Sequence, residues 1–315
     1  MKFIWHGGEP MLMGTSFYKE AILMQQKLLS KIYVLNNIQT NGTLINKEWC
    51  DFFQQNRFGI GISLDGDSVL NSDRIYPSGT PAIDKILEGQ RLLAKNHVKH
   101  GILAVIDEKL YGHEQAFYDF IKKLGCNLKV NIKIPYGLGK ENVHVQTRES
   151  LDAIGNAYIQ LYNIWKNDIP KKNPFVISPF KEFITAFITG EVSECCFSQT
   201  GCSHHICVGH DGRIFSCGRF SSDADYEIGN IFEMSLKEVE QHEKYLLKEQ
   251  RIKFIEEKCG NCRYLKLCYG GCPQVAVAWY GNFMEKSPYC DIYRALFKQI
   301  ESDLNLSHTQ ELIKI

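Results

Sequence analysis

Cys259–Gly260–Asn261–Cys262–Arg263–Tyr264–Leu265–Lys266–Leu267–Cys268–Tyr269–Gly270–Gly271–Cys272 sets four cysteines at gaps of two, five and three residues. Cys290 follows, and Cys196, Cys202 and Cys217 precede, so one C-terminal region holds eight cysteines, enough for two four-thiolate metal sites. Cys259-x2-Cys262 is a tight knuckle that turns two thiolates toward one centre. Gly270–Gly271 lets the backbone run close to sulfur, where N–H groups can donate to it. Zinc ribbons use similar knuckles, so the spacing alone leaves structural zinc beside iron–sulfur.

Upstream, Cys195 and Cys196 are adjacent, and periodicity does not choose between them. Residues 206–217 read as a β-hairpin turning on Asp211–Gly212, a strong two-residue turn signal. That register sets Ile206 opposite Cys217 and Cys207 opposite Ser216. Cys202 and Cys217 then share a face as candidate ligands, and Cys207 points away as a spare buried thiol. Cys50 lies on an apolar helix and Cys126 ends another; both read as core thiols.

Before this region, strands alternate with amphipathic helices. Strands are predicted at 3–5, 32–40, 59–64, 98–106 and 128–134. Helices are predicted at 15–30, with Phe17, Ala21, Met24 and Leu28 on one stripe, and at 46–57 (N-capped by Asn46), 81–96 and 113–125. A longer helix spans 148–168, prolines punctuate 170–179, and a short helix covers 180–189. This alternation implies a parallel sheet. Three successive strands end in Gly7–Gly8–Glu9–Pro10, Gln39–Thr40–Asn41–Gly42 and Ser63–Leu64–Asp65–Gly66. In a β/α barrel that edge carries the site. Gly7 and Gly8 permit close backbone approach to a ligand, and Glu9 offers acceptors to a ligand ammonium group.

The chain of 315 residues is 44% hydrophobic and 23% charged, a globular composition sized for one large domain and a smaller one. Its 36 basic and 36 acidic residues cancel and no long basic run occurs, which argues against a nucleic-acid partner. The first residues contain no signal-peptide core, and no apolar run approaches the ~20 residues of a membrane span. Twelve cysteines could mean a secreted disulfide framework. The length, the start of the chain and the CxxC spacing turn the reading to metal.

Taken together, Trp5–His6–Gly7–Gly8–Glu9–Pro10, Gln39–Thr40–Asn41–Gly42–Thr43–Leu44, Ser63–Leu64–Asp65–Gly66 and the cysteine ladder resemble the radical S-adenosylmethionine (SAM) enzymes with a SPASM domain. Within them the likeness is to anaerobic sulfatase-maturating enzymes and related peptide maturases, from about Phe3 to Ile300. The resemblance implies an α/β fold: a partial (β/α) radical SAM barrel missing its first β/α unit over 1–140, a helical linker over 141–190 and a Cys-rich SPASM domain over 191–303. It implies that Gly7, Gly8 and Glu9 hold the amino group of SAM, and that Ser63 and Arg74 contact its other groups. It places one auxiliary 4Fe–4S cluster on Cys196, Cys202, Cys217 and Cys272, and a second on Cys259, Cys262, Cys268 and Cys290. The clusters would lie near the barrel mouth. A peptide or protein substrate, a reductant such as ferredoxin or flavodoxin, and a cytoplasmic, low-oxygen setting follow from the same likeness.

Two departures stand out. The family's Cys-x3-Cys-x2-Cys motif, which binds the third cluster, is absent. The chain therefore reads as N-terminally truncated, and this polypeptide is expected not to cleave SAM. Second, sulfatase maturases carry an Asp general base after the third cysteine of the ladder, where this chain has Gly218, which cannot act as a base. Asp223 and Asp225 lie nearby but read as solvated loop carboxylates. The leading expectation is thus a peptide maturase of another kind, such as one forming a thioether or carbon–carbon crosslink. Formylglycine formation with a displaced base comes second. A non-catalytic iron–sulfur protein for peptide binding or electron transfer is the alternative of another class, and a structural zinc protein is the least favoured.

Overall fold

The computed structural model describes residues 1–135, 147–169, 175–198 and 201–305. The chain forms two compact units, the first from Met1–Ile132 with Asn173–Ser178 and the second from Lys133–Lys172 with Pro179–Ile315.

In the first unit β1 (Lys2–Trp5), β2 (Leu35–Thr40), β3 (Gly59–Ser63), β4 (His100–Ile106), β5 (Asn127–Ile132) and β6 (Ile177–Ser178) form one parallel sheet in sequential order. Parallel neighbours need crossover connections. From β1 to β5, α1 (Gly14–Leu28), α2 (Lys47–Asn56), α3 (Ile83–Lys95) and α4 (Glu114–Leu124) supply them. Right-handed crossovers between strands in sequential order put every helix on the same side of the sheet. Alternation then sorts the strand residues. Ile38, Ile60, Ile62, Ile102, Ala104, Leu128 and Val130 are buried, while Asn37, Gln39, Gly59, Gly61, Ser63, Gly101, Lys129 and Asn131 share the other, half-buried face.

The helices form where periodicity expects them. Asn46 N-caps α2 by accepting the Trp49 N–H at 3.0 Å. The rotation of α1 differs from its apolar stripe: Phe17 is 36% exposed, Met24 63% and Leu28 75%. Tyr18 decides that rotation. Its ring meets Trp5, Trp49 and Phe58 at 5.3, 5.7 and 6.0 Å, and its hydroxyl donates to the Pro10 carbonyl at 2.7 Å. β6 was not anticipated. It is two residues long in a proline-punctuated stretch, and it forms because β5 offers an open edge to Ile177 and Ser178.

The second unit contains α5 (Arg148–Asp168), α6 (Phe180–Thr189), an antiparallel sheet of β7 (Cys207–Val208), β8 (Arg213–Phe215) and β9 (Glu227–Asn230), then α7 (Leu236–Gln241), α8 (Glu243–Cys259), α9 (Leu265–Cys268), α10 (Pro273–Tyr280) and α11 (Cys290–Asn305). Tyr158 and Tyr162 of α5 pack on Phe180 at 5.0 and 5.5 Å, and Phe183 packs on Phe297 at 4.9 Å. Asp303 of α11 accepts from Tyr162 at 3.0 Å and from Lys166 at 2.8 Å. These contacts make α5 part of the second unit, whereas β6 is hydrogen-bonded into the first. The compact units thus run Met1–Ile132 with Asn173–Ser178 and Lys133–Lys172 with Pro179–Ile315.

The hairpin register also differs from expectation. Cys207 pairs with Phe215 and Val208 with Ile214. Gly209 N–H donates to Arg213 O at 2.8 Å, Gly212 N–H donates to Gly209 O at 3.1 Å, and Gly212 has φ +85°. This is a three-residue loop with glycine in the left-handed position, not a two-residue turn.

Candidate functional site

The strand-end motifs are bound to one another along the C-terminal edge of the first sheet. After β1, Gly7 (φ +92°) and Gly8 (φ +54°) take left-handed conformations with open space where a Cβ would stand. Glu9 follows. Its Oε1 accepts from the Met11 N–H at 3.0 Å and the Thr40 hydroxyl at 2.8 Å, and its Oε2 accepts from the Asn41 N–H at 2.8 Å. Glu9 thus clamps the end of β1 to the end of β2. A carboxylate has about four acceptor positions, so about one remains for a ligand ammonium.

Gln39 of β2 donates to Ser63 Oγ of β3 at 2.9 Å. Its amide lies across Gly61, where a Cβ would stand 2.1 Å from Gln39 Oε1, so a larger residue there would displace the Gln39 side chain. Asp65, just beyond β3, accepts from the Val105 N–H of β4 at 2.8 Å. It also holds Arg74 in a fork, at 2.8 Å to Nη2 and 2.6 Å to Nε. Asn71 fixes Asp65 in turn, accepting its N–H at 3.0 Å. The sequence reading named Glu9, Ser63 and Arg74 but missed Gln39, Asp65 and Asn71, which hold them. The signal was present in that Gln39 and Asp65 belong to the quoted motifs.

In the second unit the thiols gather in two sets. Cys202 sits on a one-turn helix, Gly201–His204; Cys217 opens the turn Gly218–Phe220; Cys272 precedes α10. Cys196 hydrogen-bonds with Cys272, and Cys202 lies within the electrostatic reach of Cys272 and Cys217. The thiols are held up in pKa. Hydrogen bonding to Cys195 is the largest cause pushing Cys196 to about 12, and burial is the largest for Cys202, at about 11. Cys272 stands well above its ordinary value through its bond to Cys196 and burial. Opposing them are N–H groups and a cation. Arg219 N–H points at Cys217 sulfur, Val275 N–H at Cys272, and Arg219 Nη1 lies 3.9 Å from Cys272 Sγ. Burial works to lower the Arg219 pKa, but its sulfur neighbours outweigh that and raise it.

The second set is Cys259 at the end of α8, Cys262, Cys268 at the end of α9 and Cys290 at the start of α11. Burial, then the proximity of Cys290, Cys262 and Cys259, pushes Cys268 to about 12 against a favourable Gly270 N–H. Burial raises Cys290 as well. Between the sets, α8 turns Lys248 and Arg251 inward. They line a cleft with Cys196, Cys202, Tyr269 and Gly271.

Cys207 does not point away. The register places it on the side of Phe215, where it packs with Cys217 against the Phe215–Phe220–Val277–Phe283 cluster. Cys202 reaches Cys217 through its helical turn, not through strand alternation. Cys195 Sγ is 3.8 Å from Cys196 Sγ. Cys50 and Cys126 are buried core thiols, and burial lifts Cys126 to about 11. Asp223 accepts the Asp225 N–H as the cap of a turn, and Asp225 is exposed.

Among the described residues, no three His, Cys, Asp or Glu side chains are spaced to hold one metal ion. An all-thiol donor set suits either a tetrahedral zinc or a four-iron cluster, which binds each sulfur at a different iron. The N–H donors and buried cations around the sulfurs fit such a negatively charged group.

A parallel sheet with a polar C-terminal edge and a unit carrying two thiol sets are the features set against known proteins. Residues 180–263 match the SPASM family, an iron–sulfur cluster-binding domain. The chain resembles radical SAM/SPASM maturases. It is 27% identical, over 96% of its own length and 80% of the relative's, to the serine-type anaerobic sulfatase-maturating enzyme of Bacteroides thetaiotaomicron. It is 28% identical, over 94% of its length and 80% of the relative's, to the cysteine-type anaerobic sulfatase-maturating enzyme of Clostridium perfringens strain 13. The solved structure of native anSMEcpe with bound AdoMet and Cp18Cys peptide superposes with a TM-score of 0.81 at 25% identity, covering 96% of this chain and 84% of that one. No helix among the described residues is long and apolar enough to cross a membrane.

Proposed function

We propose that these residues carry the SAM-binding sheet and the two auxiliary 4Fe–4S sites of a radical SAM/SPASM maturase that removes hydrogen from a peptide or protein side chain. The observation that carries this reading is the gathering of eight thiols into two sets with N–H groups and the Arg219 guanidinium directed at sulfurs. Cys196, Cys202, Cys217 and Cys272 would hold one cluster and Cys259, Cys262, Cys268 and Cys290 the other. Such clusters supply one-electron transfer. On the sheet, Gly7 and Gly8 leave backbone open to SAM, Glu9 offers its remaining acceptor position to the ammonium, and Ser63 and Arg74 orient the other groups. We read the sheet as part of a (β/α) barrel wall, with the family's first β/α unit not among these residues. The 315 residues contain no Cys-x3-Cys-x2-Cys, and we infer that by themselves they do not cleave SAM. A ferredoxin or flavodoxin as reductant, a cytoplasmic location and the absence of a nucleic-acid or membrane partner belong to the same reading.

The deciding measurement is iron, sulfide and zinc per chain after anaerobic reconstitution. About eight iron and eight sulfide are expected for two 4Fe–4S clusters. Zinc with little iron would withdraw the reading in favour of a structural module.

A second, sharper reading is formylglycine formation in a sulfatase-type peptide, favoured by the names of the relatives. Gly218 supplies no base for it, so another group would have to take the proton of the substrate hydroxyl or thiol. A Ser-x-Pro-x-Arg peptide should then lose two hydrogens when given SAM, reductant and a form of the protein carrying the missing cysteine motif. An unchanged peptide mass leaves the crosslinking type of maturase as the better account.

A further inference from the structure

Arg251 and Lys248 are three residues apart on α8, hence on one face, and both are 6% exposed. Arg251 makes four hydrogen bonds: Nε to Phe283 O at 2.9 Å, Nη1 to Tyr269 O at 3.3 Å, and Nη2 to Gly270 O at 3.2 Å and Glu285 O at 2.8 Å. All four acceptors are neutral carbonyls, so these bonds leave its charge in place. Tyr269 and Gly270 belong to the short bridge between Cys268 of the second thiol set and Cys272 of the first. The guanidinium is therefore fastened where the two sets join, and its charge acts on Cys272 and Cys202 of one and on Cys268 and Cys259 of the other. Lys248 is placed differently. Its Nζ donates to Cys202 O and, at 3.1 Å, to His205 O, and its charge acts on Cys202 and Cys217 only.

We propose that Arg251 is a shared cation that sets the reduction potentials of both cluster sites, while Lys248 sets that of the Cys196–Cys202–Cys217–Cys272 site alone. The inference rests on the reading of the two thiol sets as cluster sites. Reduction adds an electron to a cluster that already carries thiolate charge. A buried cation stabilises the more negative state, and the low dielectric around α8 keeps its field unscreened. Arg251 is a positioning residue, since its charge acts on the sulfurs through space.

The test is a redox titration followed by electron paramagnetic resonance on reconstituted wild type, R251Q, R251K and K248Q, each first assayed for iron and sulfide. R251Q should move both cluster signals to more negative potential, with the reduced-to-oxidised ratio at fixed poise falling about tenfold, or about 59 mV for a one-electron couple. K248Q should move one signal only, and R251K should move neither. Unmoved potentials in fully loaded R251Q overturn the inference, as do equal shifts in R251Q and R251K, which would mean that bridge geometry matters and charge does not. If R251Q takes up no iron, the equally uncharged R251M takes its place: both signals moved to more negative potential uphold the inference, and unmoved potentials overturn it. Wild type without iron–sulfur clusters fails the underlying reading at the first assay, before any potential is compared.

Discussion

The parallel sheet of the first unit and the cysteine region of the second are held together by different means. The sheet buries a continuous apolar layer, with Ile62, Leu64, Ile86 and Leu93 fully enclosed and Tyr18, Trp49, Phe52, Phe53 and Phe58 in mutual ring contact. Its polar groups at the strand ends bond to one another through Glu9, Gln39 and Asp65, with Asn71 Nδ2 left without a hydrogen-bond partner. Around the cysteines, small apolar clusters form about Ile214 and Val239 and about Phe215 and Phe283. Neighbouring thiols help raise the pKa of Cys202 and Cys268, and Lys248 and Arg251 are buried with backbone carbonyls, not carboxylates, as the hydrogen-bond partners described. The strand-end groups of the first unit pair largely within the polypeptide, whereas the thiol sets of the second would be completed by the charged groups proposed above, whose binding would then contribute to folding.

The largest effect that would sharpen this contrast is removal of iron. Anaerobic chelation should abolish hydrogen-exchange protection around Cys259–Cys272 and in α10 while β2, β3 and β4 stay protected. Equal loss in both units would break the contrast. Next comes Gly270→Ala. Gly270 has φ +74°, and an added Cβ would stand 2.6 Å from Ile255 Cδ1. The left-handed backbone alone costs about 1–3 kcal/mol in a residue other than glycine. Because Gly270 lies between Cys268 and Cys272, iron content should fall at both sites; loss confined to one would show that the bridge does not couple them.

Smaller again is Glu9→Gln. The amide cannot accept at both oxygen positions, so at least one of the Met11, Thr40 and Asn41 donors is left unpaired, at a cost of about 1–3 kcal/mol. Urea unfolding of the first unit should shift accordingly and SAM binding, followed by equilibrium dialysis, should weaken. An unchanged unfolding midpoint with lost SAM binding would make Glu9 a ligand contact and not a clamp. The smallest effect is that of pH on His100. Burial lowers its pKa below the usual 6.5, against a raising contribution from the Val98 carbonyl. The folded state therefore favours the neutral ring, and the stability this contributes is present above the ordinary histidine pKa and lost as pH falls through the lowered value. Exchange protection of β4 should decline on acidification, and His100→Gln should flatten that decline.

Several features were legible because they depend on neighbours in sequence. The strand–helix alternation, the Asn46 cap and the position of the Asp211–Gly212 turn are local, and the structure shows each. The hairpin register was not, since the same Asp-Gly pair serves two-residue and three-residue loops and one residue of slip moves Cys207 to the other face. The rotation of α1 escaped periodicity because Tyr18 found a nest of rings contributed by Trp5, Trp49 and Phe58. Neither β6 nor the division of the chain into units could be read from the proline-marked stretch, because both depend on which partner each segment met.

By itself the amino-acid sequence determined the class of fold, the strand-end motifs and the cysteine ladder, since hydrophobic period, turn chemistry and ligand spacing are written within a few residues of one another. The tertiary structure alone decided which groups stand against which: Glu9 against Asn41, Asp65 against Val105 and Arg74, Arg251 against the Cys268–Cys272 bridge. The reason is physical. A buried charge or hydrogen-bonding group must find a partner when water leaves, and that partner is chosen by proximity in the folded chain, whatever its distance in sequence.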